Sequence, residues 1–230
     1  MDARTALQVP ADDPDALYKD RENLASAKKA TDIWAARLAA NPKDFDSAYR
    51  LAQARYWLGT NGLPGPDRKA ALEGGIAAAR SAIAINASRP EGHFWLAANM
   101  GALAESFGLR QGIKYRGQIK DALLMTLSIS PAFLDGSADR ALGRWYFKVP
   151  GLFGGSNKES EAHLRKSLTF NPNSIISHIF LAETLEDLGR KDEARKEAQT
   201  AIDAPLDPNW TPEDRRFKEQ ARRLLQRLAR

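Results

Sequence analysis

The hydrophobic positions of the chain repeat with a helical spacing. At four places an apolar residue is followed directly by a small one, and a further apolar residue comes seven positions later. This spacing puts both apolar residues on one face of a helix. The small residue beside the first allows a neighbouring helix to approach closely. The four sets are Leu51-Ala52 with Leu58, Leu96-Ala97 with Leu103, Leu142-Gly143 with Val149, and Leu181-Ala182 with Leu188.

A second pattern marks where helices end. Five segments carry an apolar residue, then Asn, Ser or Ala, and then a turn or a proline, which cannot continue a helix. These segments are residues 38–42, 83–87, 127–131, 168–172 and 202–205. The last unit, from Leu168 to Ile202, repeats after 34 residues, and this is the period of tetratricopeptide repeats.

The stretches between the two patterns differ in how much their lengths vary. From each helix end to the next Leu-small pair the distance is 13, 13, 15 and 13 residues. From that Leu to the following helix end it is 32, 31, 26 and 21 residues. The extra length therefore lies inside the helix pairs, where it either emerges along one edge of the stack or lengthens the helices. Its Gly- and Pro-rich segments 59–68, 108–117 and 148–157 are predicted as loops on one edge, which is often the binding face of repeat proteins.

Together these patterns predict an all-α fold, a tetratricopeptide-like α-α superhelix of about ten helices without strands. It would contain four helix pairs, a first helix from Asp15 to Ala40 and a C-terminal capping helix over residues 211–230. The capping helix would begin at Thr211, with Pro at its first position and acidic residues in its first turn. We expect a single domain over residues 1–230, of which residues 1–13 are disordered or extended.

Composition narrows the class of protein. The chain has 230 residues, of which 43% are hydrophobic, as in globular proteins. The absence of cysteine excludes disulfides, thiolate catalysis, zinc ribbons and iron–sulfur clusters. No stretch approaches the ~18 uninterrupted apolar residues of a membrane helix, so we expect no integral membrane segment. The net charge of +5 permits an acidic partner without requiring nucleic acid, and we predict no nucleic-acid partner.

Few groups in the chain would serve catalysis. His93, His163 and His178 lack metal-ligand spacing and are interpreted as structural. The sequence contains no zinc-protease, nucleophile-elbow or calcium-loop motif. The Gly-rich run 151–158 lacks the ending of a phosphate loop, so it is either a structural turn or a contact for a ligand or partner. We therefore predict a protein that is not an enzyme and has no cofactor and no metal.

The central segment 108–166 is a candidate binding surface. It carries ten Lys and Arg residues against five acidic ones, with aromatic residues between them. Two loops from adjacent repeats would bring these residues into one basic patch on an aromatic floor. The alternative is that the basic residues form solvated helix faces beside core aromatics. The predicted patch contains Arg110, Lys114, Arg116, Arg144 and Lys148, with the aromatic residues Tyr115, Trp145, Tyr146 and Phe153.

Two functions remain open from the residues alone. The first is a scaffold whose concave surface and loop edge bind a partner protein or an extended peptide. The second is a binder of small hydrophobic solutes in an apolar cavity or channel between the repeats. Large apolar side chains would line that cavity, unless they only fill helix interfaces. The candidates are Trp95, Met100, Trp145, Tyr146 and Phe153.

Residues 142–155, with the sequence LGRWYFKVPGLFGG, resemble the T-component family of tripartite ATP-independent periplasmic transporters. The same family is matched by residues 92–101, 112–116 and 163–172. A weaker similarity, over Gly92 to Trp145, is to the regulators of microtubule dynamics.

The T-component resemblance implies a tetratricopeptide-like helper protein without enzymatic activity. Such a protein associates with a periplasmic solute-binding protein and encloses an apolar channel for a hydrophobic solute, with a homo-oligomer as the assembled form. On this basis we expect an accessory component of solute transport in the periplasm, whose signal peptide is absent from this sequence. The alternative compartment is the cytoplasm.

Overall fold

All regular structure in the part of the chain that is described, residues 13–229, is helical. The computed structural model contains eleven α-helices in this range, with one π-helical turn and one 3-10 turn between them, and no strand. Leu109 and Arg110 are described by their backbone alone. The helices are α1 (Pro14–Lys19), α2 (Leu24–Ala40), α3 (Phe45–Trp57), α4 (Gly65–Ile85), α5 (Pro90–Phe107), α6 (Leu109–Ile129), α7 (Ser137–Lys148), α8 (Asn157–Phe170), α9 (Ile175–Asp187), α10 (Lys191–Asp203) and α11 (Thr211–Leu228).

The helices pack as a row of hairpins. Helices α3 and α4, α5 and α6, α7 and α8, and α9 and α10 form the four pairs, and each pair contacts the next. The first helices of the pairs, α3, α5, α7 and α9, also contact one another in succession. This side-by-side stacking confirms the predicted all-α superhelix. Helices α1 and α2 lie at one end of the row and α11 at the other.

The small residues of the repeated pattern lie where helices approach most closely. Gly143 on α7 is buried, and a Cβ atom added to it would lie 2.5 Å from Leu164 Cγ on α8. Ala52 and Ala182 occupy equivalent places and are fully buried. Leu142, beside Gly143, is fully buried too. The four pairs of an apolar and a small residue therefore report the packing between first and second helices, as predicted. The apolar residues seven positions later do not all follow the prediction, because Val149 lies beyond α7 in an extended conformation and Leu188 is 39% exposed.

The predicted helix ends are confirmed. Asn41, Asn86, Ser130 and Asn171 each follow the last helical residue in an extended conformation, and each N–H still donates to a carbonyl of the helix. The three asparagine side chains also accept a hydrogen bond from the N–H two residues further on. A short polar side chain that bonds the following turn stabilises the stop.

The first predicted helix is wrong in one respect, because residues 15–40 form two helices. The side chain of Asn23 accepts a hydrogen bond from the N–H of Ala25 and thereby begins α2. The turn between α1 and α2 directs Arg21 into the protein, where its side chain is 5% exposed. The tertiary contacts of Arg21, which no local pattern reveals, accompany this break.

The predicted loop at 108–117 is also wrong. Only Gly108 leaves helical geometry, with a φ of 83°, and α6 begins at the next residue. Gly112 and Gly117 are accommodated within α6, because glycine weakens a helix without forbidding it. The extra length of this pair therefore extends its helices, α5 to 18 residues and α6 to 21 residues.

The other two Gly- and Pro-rich segments behave differently from each other. Segment 59–68 combines a π-helical turn, two extended residues and the start of α4 at Gly65, so it is a loop only in part. Segment 148–157 is a loop as predicted, with a 3-10 turn at Gly151–Phe153. Ser156, near the end of this loop, caps the N-terminus of α8, because its hydroxyl accepts a hydrogen bond from the N–H of Glu159.

Candidate ligand-binding groove

A groove lies on the inner side of the stack, against the first helices of the four pairs. Its volume is about 770 Å³, which is in the range of sites that bind ligands. Its walls come from α3, α4, α5, α6, α7, α9 and α11, together with the π-helical turn after α3 and the loop that follows α7. We call it the central groove. Helix α11 therefore contributes to the groove as well as covering the end of the stack.

Small residues on one face of α5 form the floor of the central groove. Ala98, Gly101 and Ala102 line it at helical spacing. A Cβ atom placed on Gly101 would meet no other atom within 4 Å, so this position faces open space. Phe94 and Ile119 supply larger apolar surface beside them. The floor thus leaves room for the side chains of a ligand.

The central groove is strongly basic. Among the described residues that line it, seven carry a positive charge and one, Glu105, carries a negative charge. A cleft lined by one sign of charge concentrates the field and attracts ligands of the opposite sign. The cations are Arg68, Arg116, Arg140, Arg144, Lys148, Arg216 and Arg223.

Arg144 is already engaged in the fold. Its Nε donates to Glu105 Oε1 over 3.1 Å, and its Nη1 donates to Glu183 Oε2 over 2.5 Å. Its guanidinium also lies 4.4 Å from the ring centroid of Phe180. These contacts link α7 with α5 and α9, so the charge of Arg144 is neutralised and its role is structural.

The loop after α7 is fixed against α6 by aromatic and basic side chains. Trp145 Nε1 donates to the backbone oxygen of Arg116 over 2.9 Å. The guanidinium of Arg116 lies 5.3 Å from the ring centroid of Phe153, within the range of cation–π contacts. Lys148, which is exposed, lies nearby on the last turn of α7. One wall of the groove is therefore preformed.

Arg140 has a different environment. It lies on α7 and lines both the central groove and a smaller cavity of about 130 Å³. Its side chain is half-buried, and it makes no hydrogen bond or ion pair with the described residues. Burial lowers the pKa of Arg140, and nearby Tyr56, Asp135 and Asp214 offset only part of this effect. The group stays charged at neutral pH, because arginine is not deprotonated in proteins.

Two distant parts of the chain meet beside the groove. Arg21 Nε and Nη2 donate to the carboxylate of Glu213 on α11 over 3.1 and 2.6 Å, and Nη2 also donates to Asn209 O over 2.7 Å. We call this contact, together with the aromatic rings around it, the Arg21 clamp. The rings belong to Tyr18, Trp57 and Trp210, with centroids 5.1, 5.2 and 5.9 Å from the guanidinium. The clamp holds α11 against the turn between α1 and α2 and so positions one wall of the groove.

The structure brings together part of the predicted basic patch. Lys114 lies on α6 but does not line the groove, and its ammonium lies 4.7 Å from the ring centroid of Tyr115. Tyr115 itself is buried in the core. The side chain of Arg110 lies outside the described residues. The predicted residues that do line the groove are Arg116, Arg144, Trp145, Lys148 and Phe153. Their role in binding stays a prediction.

Two of the five residues that were expected to line an apolar cavity, Trp145 and Phe153, line the central groove, whereas Trp95, Met100 and Tyr146 do not. Met100 is completely buried, and Trp95 is 4% exposed, so both fill helix interfaces. Trp95 also borders the smaller cavity. Tyr146 stacks on His163 at 5.4 Å and does not line the central groove. On α5, Trp95 and Met100 pack between helices, whereas Phe94 and the small residues Ala98, Gly101 and Ala102 line the groove.

Several groove residues were missed by sequence reasoning. Arg140 could have been found, since it precedes Arg144 by one helical turn and lies on the same face of α7. Arg68 on α4 gave no local signal. Helix α11 gave none either, because its place in the groove depends on the closure of the chain. The residues that it contributes are Arg216, Phe217, Gln220 and Arg223.

Two of the histidines have simple structural hydrogen bonds. His163 Nδ1 lies 2.8 Å from Asp139 Oδ1, and His93 Nε2 lies 2.9 Å from the backbone oxygen of Ala87. Among residues 13–229 no cluster of His, Asp or Glu side chains is arranged to hold a metal ion. These contacts support the structural interpretation of both histidines.

His178 is buried and faces two acceptors. Its Nδ1 lies 2.6 Å from Glu197 Oε2, and its Nε2 lies 2.9 Å from the backbone oxygen of Pro172. Burial by itself lowers the pKa of His178, but the hydrogen bonds to Glu197 and Pro172 outweigh it and raise the pKa above its usual value. Because both partners can only accept, both bonds form at once only when the ring is protonated on both nitrogens.

Part of the amino-acid sequence matches a known protein family. The family model described as Regulator of microtubule dynamics protein 1-3 matches residues 12–154, more than half of the chain. The chain belongs to this family. The match extends over α1 to α7 and into the loop after α7, and therefore includes much of the central groove. No curated protein matches the chain in sequence. The T-component resemblance stays a prediction.

Similar solved structures are helical repeat proteins. TTC0263, a thermophilic TPR protein of Thermus thermophilus, matches with a TM-score of 0.68 and 20% identity, over 92% of this chain and 97% of that chain. MamA matches with a TM-score of 0.54 and 14% identity, over 80% of this chain and 92% of that chain. A monomeric mutant of IFIT1 with Gppp-AAAA matches with a TM-score of 0.55 and 16% identity, over 88% of this chain and 42% of that chain. At these identities the similarity shows the tetratricopeptide-like fold.

None of the helices in the described part of the chain is both long enough and apolar enough to cross a membrane.

Proposed function

We propose that this protein is a non-enzymatic scaffold that binds an extended, acidic segment of a partner protein in the central groove. The observation that carries the proposal is the charge of the groove, in which seven cations among the described residues face one carboxylate. Arg144 is already paired with Glu105 and Glu183, and an acidic segment would neutralise the other cations, whose excess favours rapid association with such a partner.

The shape of the groove supports a peptide as the ligand. Residues from seven helices contribute to its walls, so the ligand surface is continuous across the repeats. The floor of Ala98, Gly101 and Ala102 offers space for side chains, and the apolar surface of Phe94 and Ile113 would cover hydrophobic ones. A segment with acidic residues and some apolar residues fits both properties.

The relatives of the chain are compatible with this proposal. Tetratricopeptide-like scaffolds recognise partners through the inner surface of the superhelix. The description of the family connects its members with microtubule dynamics. A partner from the microtubule system is therefore the narrower form of the proposal.

A second candidate is the binding of a small hydrophobic solute in the same groove. The observation that favours it is the mainly apolar surface of the groove beneath its basic residues. An accessory role in periplasmic solute transport, with a solute-binding protein as partner and assembly into a homo-oligomer, would be one setting for it. Periplasmic localisation, with the cytoplasm as the alternative, stays a prediction.

Selection from a displayed library of short random peptides tests the proposal directly. We expect peptides that bind the protein to carry a net negative charge together with apolar residues. Their binding should weaken as the salt concentration rises, because exposed charges are screened. Selected peptides without net negative charge, or binding that salt leaves unchanged, would contradict the proposal.

The variant Gly101→Leu provides the control for location. A side chain at this position projects into open groove space, so we expect the fold to be retained and peptide affinity to fall by at least about tenfold. Gly117→Leu is the matched control, because Gly117 is exposed on α6, has no neighbour within 4 Å and does not line the groove. Equal affinity of both variants would place the binding site elsewhere. A hydrophobic compound retained in native mass spectra and lost in Gly101→Leu would favour the second candidate.

A further inference from the structure

The cations of the central groove differ in how far their hydrogen-bonding capacity is already used. Arg144 is bound by two carboxylates, and Arg216 donates to Thr60 O and to the side chain of Asn61. Lys148 and Arg223 are exposed, so water can satisfy them. The side chains of Arg68 and Arg140 are half-buried and make no hydrogen bond or ion pair with the described residues; Arg68 Nε is enclosed, whereas no nitrogen of the Arg140 guanidinium is enclosed, so a ligand can reach it.

The groups around Arg140 leave its guanidinium available. Asp214 on α11 uses one carboxylate oxygen to accept from the N–H of Asp207 over 2.8 Å. Asp135 precedes α7, and the phenol of Tyr56 lies on α3. These groups influence Arg140 through space, but none forms an ion pair with it. Glu213, the other acidic residue nearby, is bound to Arg21 in the clamp.

An arginine in this position is built to accept an external anion. The guanidinium has five N–H donors in a fixed plane, and a carboxylate can accept two of them at once. In the absence of a ligand, a partly desolvated cation without a hydrogen-bonding partner destabilises the fold. A bound carboxylate would supply the missing partner and compensate the charge.

We propose that Arg140 is the anchor of the central groove and binds one carboxylate of the bound segment in a bidentate pair. This inference rests on the proposed function and names the contact that sets the register of the segment. The exposed cations then add affinity without selecting a position, because exposed charge pairs are weak and adaptable. The carboxylate is that of an Asp or Glu side chain or that of the chain terminus, and the experiment distinguishes the two.

The test uses the tightest peptide from the library selection and the variants Arg140→Met and Arg223→Met. Each acidic residue of the peptide is changed in turn to its amide, and the terminal carboxylate is separately amidated. We expect one of these changes to weaken binding to the wild-type protein by at least about tenfold. The same change should weaken binding to Arg140→Met by less than about threefold, because the anchoring pair is already lost. The position of the sensitive change identifies the source of the carboxylate.

Arg223→Met is the matched control, because Arg223 lines the same groove but is exposed. This variant should keep the full sensitivity to the anchoring change and lose only a small, salt-dependent part of the affinity. If Arg140→Met keeps the sensitivity as well, the anchor is overturned while the proposed function stands.

A measurement without a peptide decides the inference even if no peptide is selected and the proposed function fails. Sodium glutarate is titrated into the protein while the Nε–Hε signals of the arginines are followed by two-dimensional NMR. We expect a saturable shift of the signal that is missing in Arg140→Met. A signal that does not respond, or that responds more to inorganic phosphate than to glutarate, would overturn the carboxylate anchor.

The stability of the unliganded variant gives a readout that a purely structural arginine would not. Since the side chain of Arg140 has no hydrogen-bonding partner among residues 13–229, Arg140→Met should resist denaturant at least as well as the wild-type protein. A midpoint of unfolding well below that of the wild type would show that Arg140 supports the fold, and would overturn the inference.

Discussion

The helix pair α9 and α10 is shorter than the pairs α3 with α4 and α5 with α6, although all of them pack side by side in the same stack. Each helix of the last pair has 13 residues, whereas α4 and α6 have 21 and α5 has 18. In the last pair Leu181, Leu185 and Ala198 are completely buried. In α6, by contrast, Ile113 is 42% and Met125 is 46% exposed.

The comparison shows that the longer pairs provide surface for the central groove in addition to core. The last pair matches the 34-residue tetratricopeptide period and uses its apolar residues for packing. In α6, which belongs to a longer pair, Ile113 lines the groove and is exposed, whereas Tyr115 is buried in the core. The family match at residues 12–154 includes both longer pairs.

The largest effect is expected where the two end regions of the described chain, the turn between α1 and α2 and helix α11, are joined at the Arg21 clamp. Arg21→Met leaves the half-buried Glu213 without its partner, so the free energy of unfolding should fall by about 3 to 5 kcal/mol. Denaturant unfolding measures this change. Arg215→Met is the control, because its pair with Glu22 is exposed on both sides and should contribute less than about 1 kcal/mol. Equal losses in the two variants would mean that the clamp does not hold the regions together.

A smaller but clear difference is expected between the two kinds of helix pair themselves. Leu185→Ala in the compact pair removes a fully buried side chain and should lower the free energy of unfolding by about 3 kcal/mol. Ile113→Ala removes a half-exposed side chain from the groove wall and should lower it by less than about 1 kcal/mol. The same unfolding experiment measures both. Similar losses of stability in the two variants would contradict the assignment of Leu185 to the core and of Ile113 to the groove surface.

The smallest effect is a pH dependence located in the compact pair. The pKa of His178 is raised in the folded protein, so its contribution to stability is fully present below the unfolded value of about 6.5. That contribution is lost as the pH rises through the folded pKa, because deprotonation breaks one of its two hydrogen bonds. Unfolding of wild type and His178→Gln should be measured from mildly acidic to mildly alkaline pH. If the pH dependence of the free energy of unfolding persists in His178→Gln and disappears in His93→Gln, the prediction is contradicted.

Much of the fold could be predicted from local pattern. Leu142 with Gly143, and Leu181 with Ala182, report close helix packing directly, and Asn86 and Asn171 end their helices as expected. The loop predicted around Gly112 was wrong, since glycine content alone does not separate a loop from a helix with weak positions. Whether inserted residues extend a helix depends on what the flanking helices pack against.

The candidate site was predicted less completely than the fold. Arg116 and Phe153 were expected near one another, and they are in contact. We predicted that Met100 and Trp95 line an apolar cavity, but both fill the core. The residue types alone do not reveal which face of α5 borders the groove. Arg216 belongs to the groove only because α11 returns to the beginning of the chain.

The sequence by itself determined the helical class, the pairing of helices and the points at which most helices end. These properties depend on hydrophobic spacing and on short-range hydrogen bonds, both of which are encoded within a few consecutive residues. The tertiary structure decided where the groove lies, which cations face it and that the side chain of Arg140 meets no hydrogen-bonding partner in the described part of the chain. Those properties depend on the closure of the chain through Arg21 and Glu213, which are 192 residues apart, and on the burial that this closure creates.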